Sequence, residues 1–333
     1  MTWSRGAPCS IAAIHDGPEQ CTFRIELRLP VAKRHDRATD TASTERSTLV
    51  LTSLVTLRAG ADHLDIQTTL DNHAEDFRLR LLLPVDVPTA TTWLAHHPFD
   101  LVERAIAVDP TTNSWQEAEL AEKPFLHVQA VGHGQRGLAF ISGGGLHEGG
   151  VADDERRTMQ VTLLRSFRAT IATGGEPDGL QTGTITWRYA LMPYAGTLPS
   201  RRAFEVLANV QTGMATRQSG ARPSGYLPLP LPPRESGTNT VSNLEQLDRT
   251  LIISAIAPAG DGSGLIIRLW NPSNEPGIDR VRFQRAMIHA TAVNLAEDRE
   301  DLTATLTISD HEFIITVRGH SVATVKVIFA DHQ

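Results

Sequence analysis

Residues 143–166, GGGLHEGGVADDERRTMQVTLLRS, gather the densest set of groups that could do chemistry: Glu148, the acidic run Asp153, Asp154 and Glu155, and Arg165. Glycines beside charge raise phosphate binding first. A phosphate-cradling loop closes on a lysine and a Ser or Thr. Here the glycines run into Leu146, His147 and Glu148 and then into the acids, whose charge repels an anion. A dinucleotide-binding loop opens a helix, whereas TMQVTLLRS reads as a strand. From the residues alone the stretch is a long hairpin in which glycines supply left-handed backbone.

Other chemistries find less. There are 13 histidines, but His96 and His97 are adjacent and point to opposite sides of an extended chain, so they do not ligate one ion together. Asp71 and His73 share a face without a third ligand, and no metal residues are assigned. No Gly-x-Ser-x-Gly elbow occurs, which removes the serine-hydrolase reading. Glycoside hydrolysis needs two carboxylates flanking one bond, and the pairing of 38 acids cannot be read from their order. Cys9 and Cys21 form no C-x-x-C pair; a disulfide between them stays open.

The elements that must position these groups are strands. HLDIQTTL (63–70), FRLRLLLP (77–84) and TITWRYAL (184–191) alternate apolar and polar residues, the signature of half-buried antiparallel strands. In the second, Phe77, Leu79, Leu81 and Leu83 face one way and Arg78 and Arg80 the other. Further strands are expected at 22–29, 48–58, 126–131, 136–142, 158–165, 250–257, 264–270, 303–308, 312–317 and 321–329. DNHAED (71–76) is a turn, and 34–47 reads as a long loop. One helix is expected, SRRAFEVLANV (200–210), with Ser200 as cap. Gly, Pro and Ser crowd residues 211–248 around LPLPLPP, an extended linker. The division is therefore a β domain over 1–210, a linker over 211–248 and a small β domain over 249–333.

Composition bounds the partners. A net charge of -7 argues against nucleic acid. No apolar run is long enough to span a membrane. The first residues, MTWSRGAPCS, lack the apolar stretch of a signal peptide, so the expected location is cytoplasmic.

Several stretches, in order, resemble the C-terminal β-rich region of glycoside hydrolase family 38, the α-mannosidases. SLVTLRAGADHLDIQTTLDNHAEDFRLRLLLP (53–84) is similar to its strand–turn–strand block, with Asp71, Asn72, Arg78, Arg80 and Pro84 at the marked positions. HPFDLVER (97–104) resembles its Phe…Glu-Arg segment. GLAFISGGGLHEGGV (137–151) matches its G-L-x-E segment at Gly145, Leu146 and Glu148, although Gly149 stands where an aromatic often follows. TLLRS (162–166), LIISAIAPAGDGSGLIIRLWNPSNE (251–275) and AVNLAED (292–298) complete the series.

The resemblance implies an all-β chain: a large antiparallel supersandwich of the galactose-mutarotase type, then a small immunoglobulin-like sandwich. It implies mannoside chemistry, but the family's zinc ligands and nucleophilic Asp belong to an α/β barrel that nothing here matches. No catalytic residue and no cofactor is therefore assigned to this chain; the zinc would sit in that absent domain. The implied role is non-catalytic, as a subunit or sugar-binding part, with a separate catalytic chain or a second copy as partner. The substrate-facing candidates are Glu148, Asp153, Asp154, Arg165 and His97, with the acids accepting from the hydroxyls of a mannoside-type glycan and Arg165 bracing them. Trp93, Trp115 and Trp270 could stack on sugar or fill a core. Two alternatives stay open: a stand-alone carbohydrate-binding module, and a mutarotase-like epimerase using His96, His97 and Glu148.

Overall fold

The computed structural model describes residues 4–36, 39–144, 147–168, 174–212, 243–301 and 303–330. The chain divides into two compact units, Met1–Gly213 and Met214–Gln333. Both are antiparallel β-sandwiches, as the alternating runs require.

The first unit contains β1 (Cys9–Asp16), β2 (Gln20–Ala32), β3 (His35–Asp36), β4 (Thr41–Ala42), β5 (Arg46–Arg58), β6 (Leu64–Asn72), β7 (Phe77–Pro84), β8 (Thr92–His97), β9 (Asp100–Ala105), β10 (Lys123–Phe125), β11 (Val128–His133), β12 (Arg136–Ser142), β13 (His147–Val151), β14 (Thr158–Ser166), β15 (Gly183–Tyr194) and the helix α1 (Ser200–Thr212). Nine strands form one sheet in the order β1-β2-β5-β6-β15-β12-β11-β8-β9, and β10-β13-β14-β7 form a second. Side chains from both make the core, with Trp93 and Tyr189 from the large sheet against Phe125, Met159 and Val161 from the small one. α1 buries Ala203, Phe204, Val206 and Leu207. The loop expected at 34–47 contains the short β3–β4 pair and the first residues of β5.

Two glycines in the sheets exist for close approach. Gly132 and Gly137 oppose each other across β11 and β12, and the Tyr194 ring lies so close that a Cβ on Gly137 would sit 2.4 Å from Cζ. The aromatic covers backbone that lacks side chains of its own. Burial raises the Tyr194 phenol to about 12.

The β1–β2 register sets Cys9 opposite Leu27 and Cys21 opposite Asp16. The cysteines therefore stand at opposite ends of the hairpin, about 20 Å apart along the strands. A disulfide needs Cα atoms within about 7 Å, so the open alternative is excluded, and both thiols are free.

The second unit contains β16 (Leu244–Gln246), β17 (Ile252–Pro258), β18 (Leu265–Asn271), β19 (Gly277–Phe283), β20 (Met287–Val293), β21 (Thr305–Ile308), β22 (Glu312–Val317) and β23 (Ser321–Phe329). They form two four-stranded sheets, β16-β19-β22-β21 and β17-β18-β23-β20. Ile267, Leu269, Val281, Phe313, Ile315 and Val325 fill the space between them. The stretch expected as linker lies outside the described residues from 213 to 242, and Leu244–Gln246 within it is strand, paired with β19.

A buried carboxylate holds this unit's first connection. Asp279 is wholly enclosed and accepts from Gln246 Nε2 at 2.6 Å, Thr250 N at 2.9 Å, Leu251 N at 2.9 Å and Arg249 N at 3.2 Å. Four donors supply what water would otherwise give a buried charge.

Candidate functional site

The outer face of the small sheet of the first unit carries a cluster that the order of the chain does not reveal. β7 alternates, so its leucines turn to the core and Arg78 and Arg80 turn out. The β7–β14 register sets Arg165 directly opposite Arg78, and the β13–β14 register sets Glu148 opposite Thr162. Glu148 thus lies between two arginines: its Oε2 is 3.4 Å from Arg78 Nη1 and its Oε1 is 3.5 Å from Arg165 Nη1. Glu122, just before β10, takes Arg78 Nη1 at 2.5 Å and also pairs with Arg80. Arg80 Nη1 reaches Gln160 Oε1 at 3.3 Å.

β13 is the element that sequence reading placed inside a loop. HEGGV has no alternation to mark a strand, yet it pairs with β10 and β14. Its glycines are the reason it fits. A Cβ on Gly149 would lie 2.4 Å from Gln129 Oε1 and 2.7 Å from the Gln160 carbonyl; one on Gly150 would lie 2.3 Å from the Ala121 carbonyl. Gln129 is buried beneath, donating from Nε2 to the Gly150 carbonyl at 2.7 Å. This accounts for Gly149 where the resemblance leads one to expect an aromatic. Gly145 and Leu146 lie outside the described residues.

Asp153 and Asp154 are not part of the cluster. They sit in the turn from β13 to β14, where Arg157 Nη1 pairs with Asp153 and Asp154 Oδ1 accepts from Thr158 N at 2.9 Å. Arg157 takes a left-handed φ of 47°, and its Nε donates to the Ala90 carbonyl at 3.0 Å. Arg156 closes the base with a two-pronged pair to Asp86 at 2.7 and 3.1 Å. Turn geometry occupies these acids, and among the described residues the acid paired with Arg165 is Glu148.

His97 ends β8 of the nine-stranded sheet. Its Nε2 is 3.1 Å from the Pro124 carbonyl, and Pro124 is registered opposite Glu148. Arg104 Nη2 stands 2.5 Å from the same nitrogen. A guanidinium only donates, so in the Arg104 contact Nε2 is the acceptor. Arg104 Cζ lies 5.4 Å from the Trp93 ring centroid, and burial lowers the Arg104 pKa from its ordinary value. His96 goes the other way, as the extended chain requires. It packs edge-on to Phe204 of α1, 4.8 Å between centroids, and burial depresses its pKa to about 4, helped by the neighbouring His127 and His97.

The tryptophans sort by burial. Trp93 and Trp270 are core, and Trp115 is exposed. His73 Nε2 meets Asp71 Oδ2 at 2.9 Å on the surface. Among the described residues no three His, Cys, Asp or Glu side chains come together as metal ligands. Arg78 and Arg80 were visible as the polar side of an alternating strand and as marked positions of the resemblance, without a role at a site. Glu122 and Gln160 gave no signal.

Residues 250–325 match the model of the glycosyl hydrolases family 38 C-terminal beta sandwich domain. Those residues are therefore assigned to the family 38 C-terminal β-sandwich domain. It is 29% identical over 239 residues to the "Putative mannosylglycerate hydrolase" of Halalkalibacterium halodurans, covering 70% of this chain and 24% of that protein. It superposes on an alpha-mannosidase from Enterococcus faecalis V583 with a TM-score of 0.77 and 18% identity, over 96% of this chain and 35% of the other. A protein in glycosyl hydrolase family 38 from Enterococcus faecalis gives 0.73 and 18%, over 96% and 36%. At that identity the two structures speak for the fold alone. The chain spans about a quarter of the curated relative and about a third of the solved ones. Among the described residues no helix is long and apolar enough to cross a membrane.

Proposed function

We propose that this chain is the non-catalytic β region of a family 38 type glycoside hydrolase acting on α-mannosides, and that it works joined to a polypeptide bearing the catalytic groups. The observation that carries this is the bare end of the nine-stranded sheet. All eight residues of β1 are exposed. On the face that continues the core, Ile11 is 65% exposed, Phe23 43% and Leu57 46%. The register brings Ile11, Ile25 and Ser53 into one row and Ala13, Phe23 and Val55 into the next. An apolar sheet face with a free edge is a docking surface rather than a stable water interface. The polypeptide that the relatives carry beyond this region is the occupant this reading names.

The cluster around Glu148 favours a surface that faces sugar. Glu148, Gln160 and the guanidiniums are the hydrogen-bonding groups that hydroxyl-rich ligands use. This also keeps the carbohydrate-binding alternative in play. The mutarotase alternative draws no support, because its histidine and glutamate would have to trade protons freely. Glu148 is clamped between two arginines, and His97 Nε2 is taken by Arg104.

Mixing the purified chain with the part of the mannosylglycerate hydrolase relative outside the matched region tests the proposal by sedimentation. A mixed complex is expected, and Phe23→Glu with Leu57→Glu should abolish it without lowering Tm. Two species that sediment independently would sink the reading.

A further inference from the structure

We propose that Arg78 and Arg165 form a binding site for the carboxylate of an acidic glycoside, so that the sheet face of β7 and β14 selects a sugar bearing a negatively charged aglycone. The inference deepens the proposed function and rests on it for the sugar part of the ligand.

The cluster holds three guanidiniums and two carboxylates in contact. Like charges directly opposite on neighbouring strands destabilise a sheet, yet Arg78 and Arg165 are such a pair. The single Glu148 between them offers one oxygen to each, at 3.4 and 3.5 Å. Glu122, the deeper acid with its side chain 14% exposed, is already taken by Arg78 and Arg80. The carboxylates thus lie inward and the cationic forks outward, with side-chain exposures of 37% for Arg78 and 55% for Arg165. Arg165 makes one ion-pair contact through Nη1, and its Cζ lies 5.5 Å from the Phe167 ring, which steadies the plane of the guanidinium. Among the described residues Arg78 meets both acids through Nη1. Arg80 Nε is buried with no hydrogen-bond partner among the described residues. The N–H groups that face water are those of Arg78 and Arg165, the more exposed guanidiniums.

Two planar forks side by side match one oxyanion, since each guanidinium can give a carboxylate two parallel hydrogen bonds. The acids that made this stretch look hostile to anions, Asp153 and Asp154, are engaged in the β13–β14 turn. A carboxylate in place would neutralise the excess positive charge of the cluster. Glu148 and Gln160, at its rim, would remain as acceptors for sugar hydroxyls. The printed name of the relative, a mannosylglycerate hydrolase, supplies a probe of this chemistry.

The test is a calorimetric titration of the full 333-residue chain with mannosylglycerate, methyl α-mannoside, glycerate and inorganic phosphate. Mannosylglycerate should bind about tenfold more tightly than methyl α-mannoside, the scale of hydrogen bonds to a charged group, and added salt should erode that difference. R165Q and R78Q should each cost about tenfold for the acid and less than half of that loss for the neutral mannoside; Arg165 is exposed enough that Tm should not move. Equal affinity for the acidic and neutral mannosides overturns the carboxylate site while leaving the association test of the preceding section untouched. Phosphate binding as tightly as mannosylglycerate, no binding by any probe, or full affinity in R165Q overturns it too.

Discussion

His96 shows how one side chain can set a pH limit. Its folded pKa, about 4, lies below the ordinary imidazole value of 6.5 because burial disfavours the charged form. The unfolded chain therefore takes up the proton first. The stabilisation by neutral His96 is complete above pH 6.5 and is lost as pH falls through the interval down to about 4, amounting to about 3 kcal/mol at the bottom. Urea titrations across that range should show the loss, and H96L should flatten the slope. Gly149 makes a second residue-scale case. G149A would drive a methyl against Gln129 Oε1 and the Gln160 carbonyl, and should lower stability by about 1–3 kcal/mol while leaving the second unit's melting unchanged. At this scale the sequence is a partial guide. It marks Glu148 and Arg165 by type and motif, but Glu122 comes from a connection before a three-residue strand and carries no pattern. Asp153 and Asp154 stand out as acids, and only the turn geometry reveals what occupies them.

Elements were legible where a period of two is unbroken. β6, β7 and β15 stood out because each buries one face. β13 was hidden by its two glycines, and β1 because every one of its residues is exposed, which removes the alternation that burial imposes. β16 was hidden by its place beside a Pro- and Gly-rich stretch. In the second unit Asp279 ties β19 to the segment between β16 and β17, a link between residues 28 to 33 positions apart that no local pattern shows. D279A should leave three backbone N–H groups and the Gln246 amide short of an acceptor. The expected cost is about 3 kcal/mol, read as a lower melting transition of the second unit with the first unit's transition kept in place. D279N should recover part of it, since an amide oxygen still accepts.

The whole molecule joins two sandwiches whose layers follow from alternating strands, whereas the bare end of the larger sheet follows from nothing local. That end, Ile11, Phe23 and Leu57 with the exposed strand β1, is the surface on which the proposed association rests. E substitutions there should raise solubility and reduce self-association, visible in light scattering at rising concentration; a variant that scatters like the parent would remove the surface from the account. The most direct measurement of the central claim is hydrolysis of an aryl α-mannoside by the purified 333-residue chain, alone and mixed with the catalytic portion of a family 38 relative. The account predicts no turnover above buffer from the chain alone and a rise in the relative's activity on mixing. Turnover that co-purifies with the chain alone would contradict it.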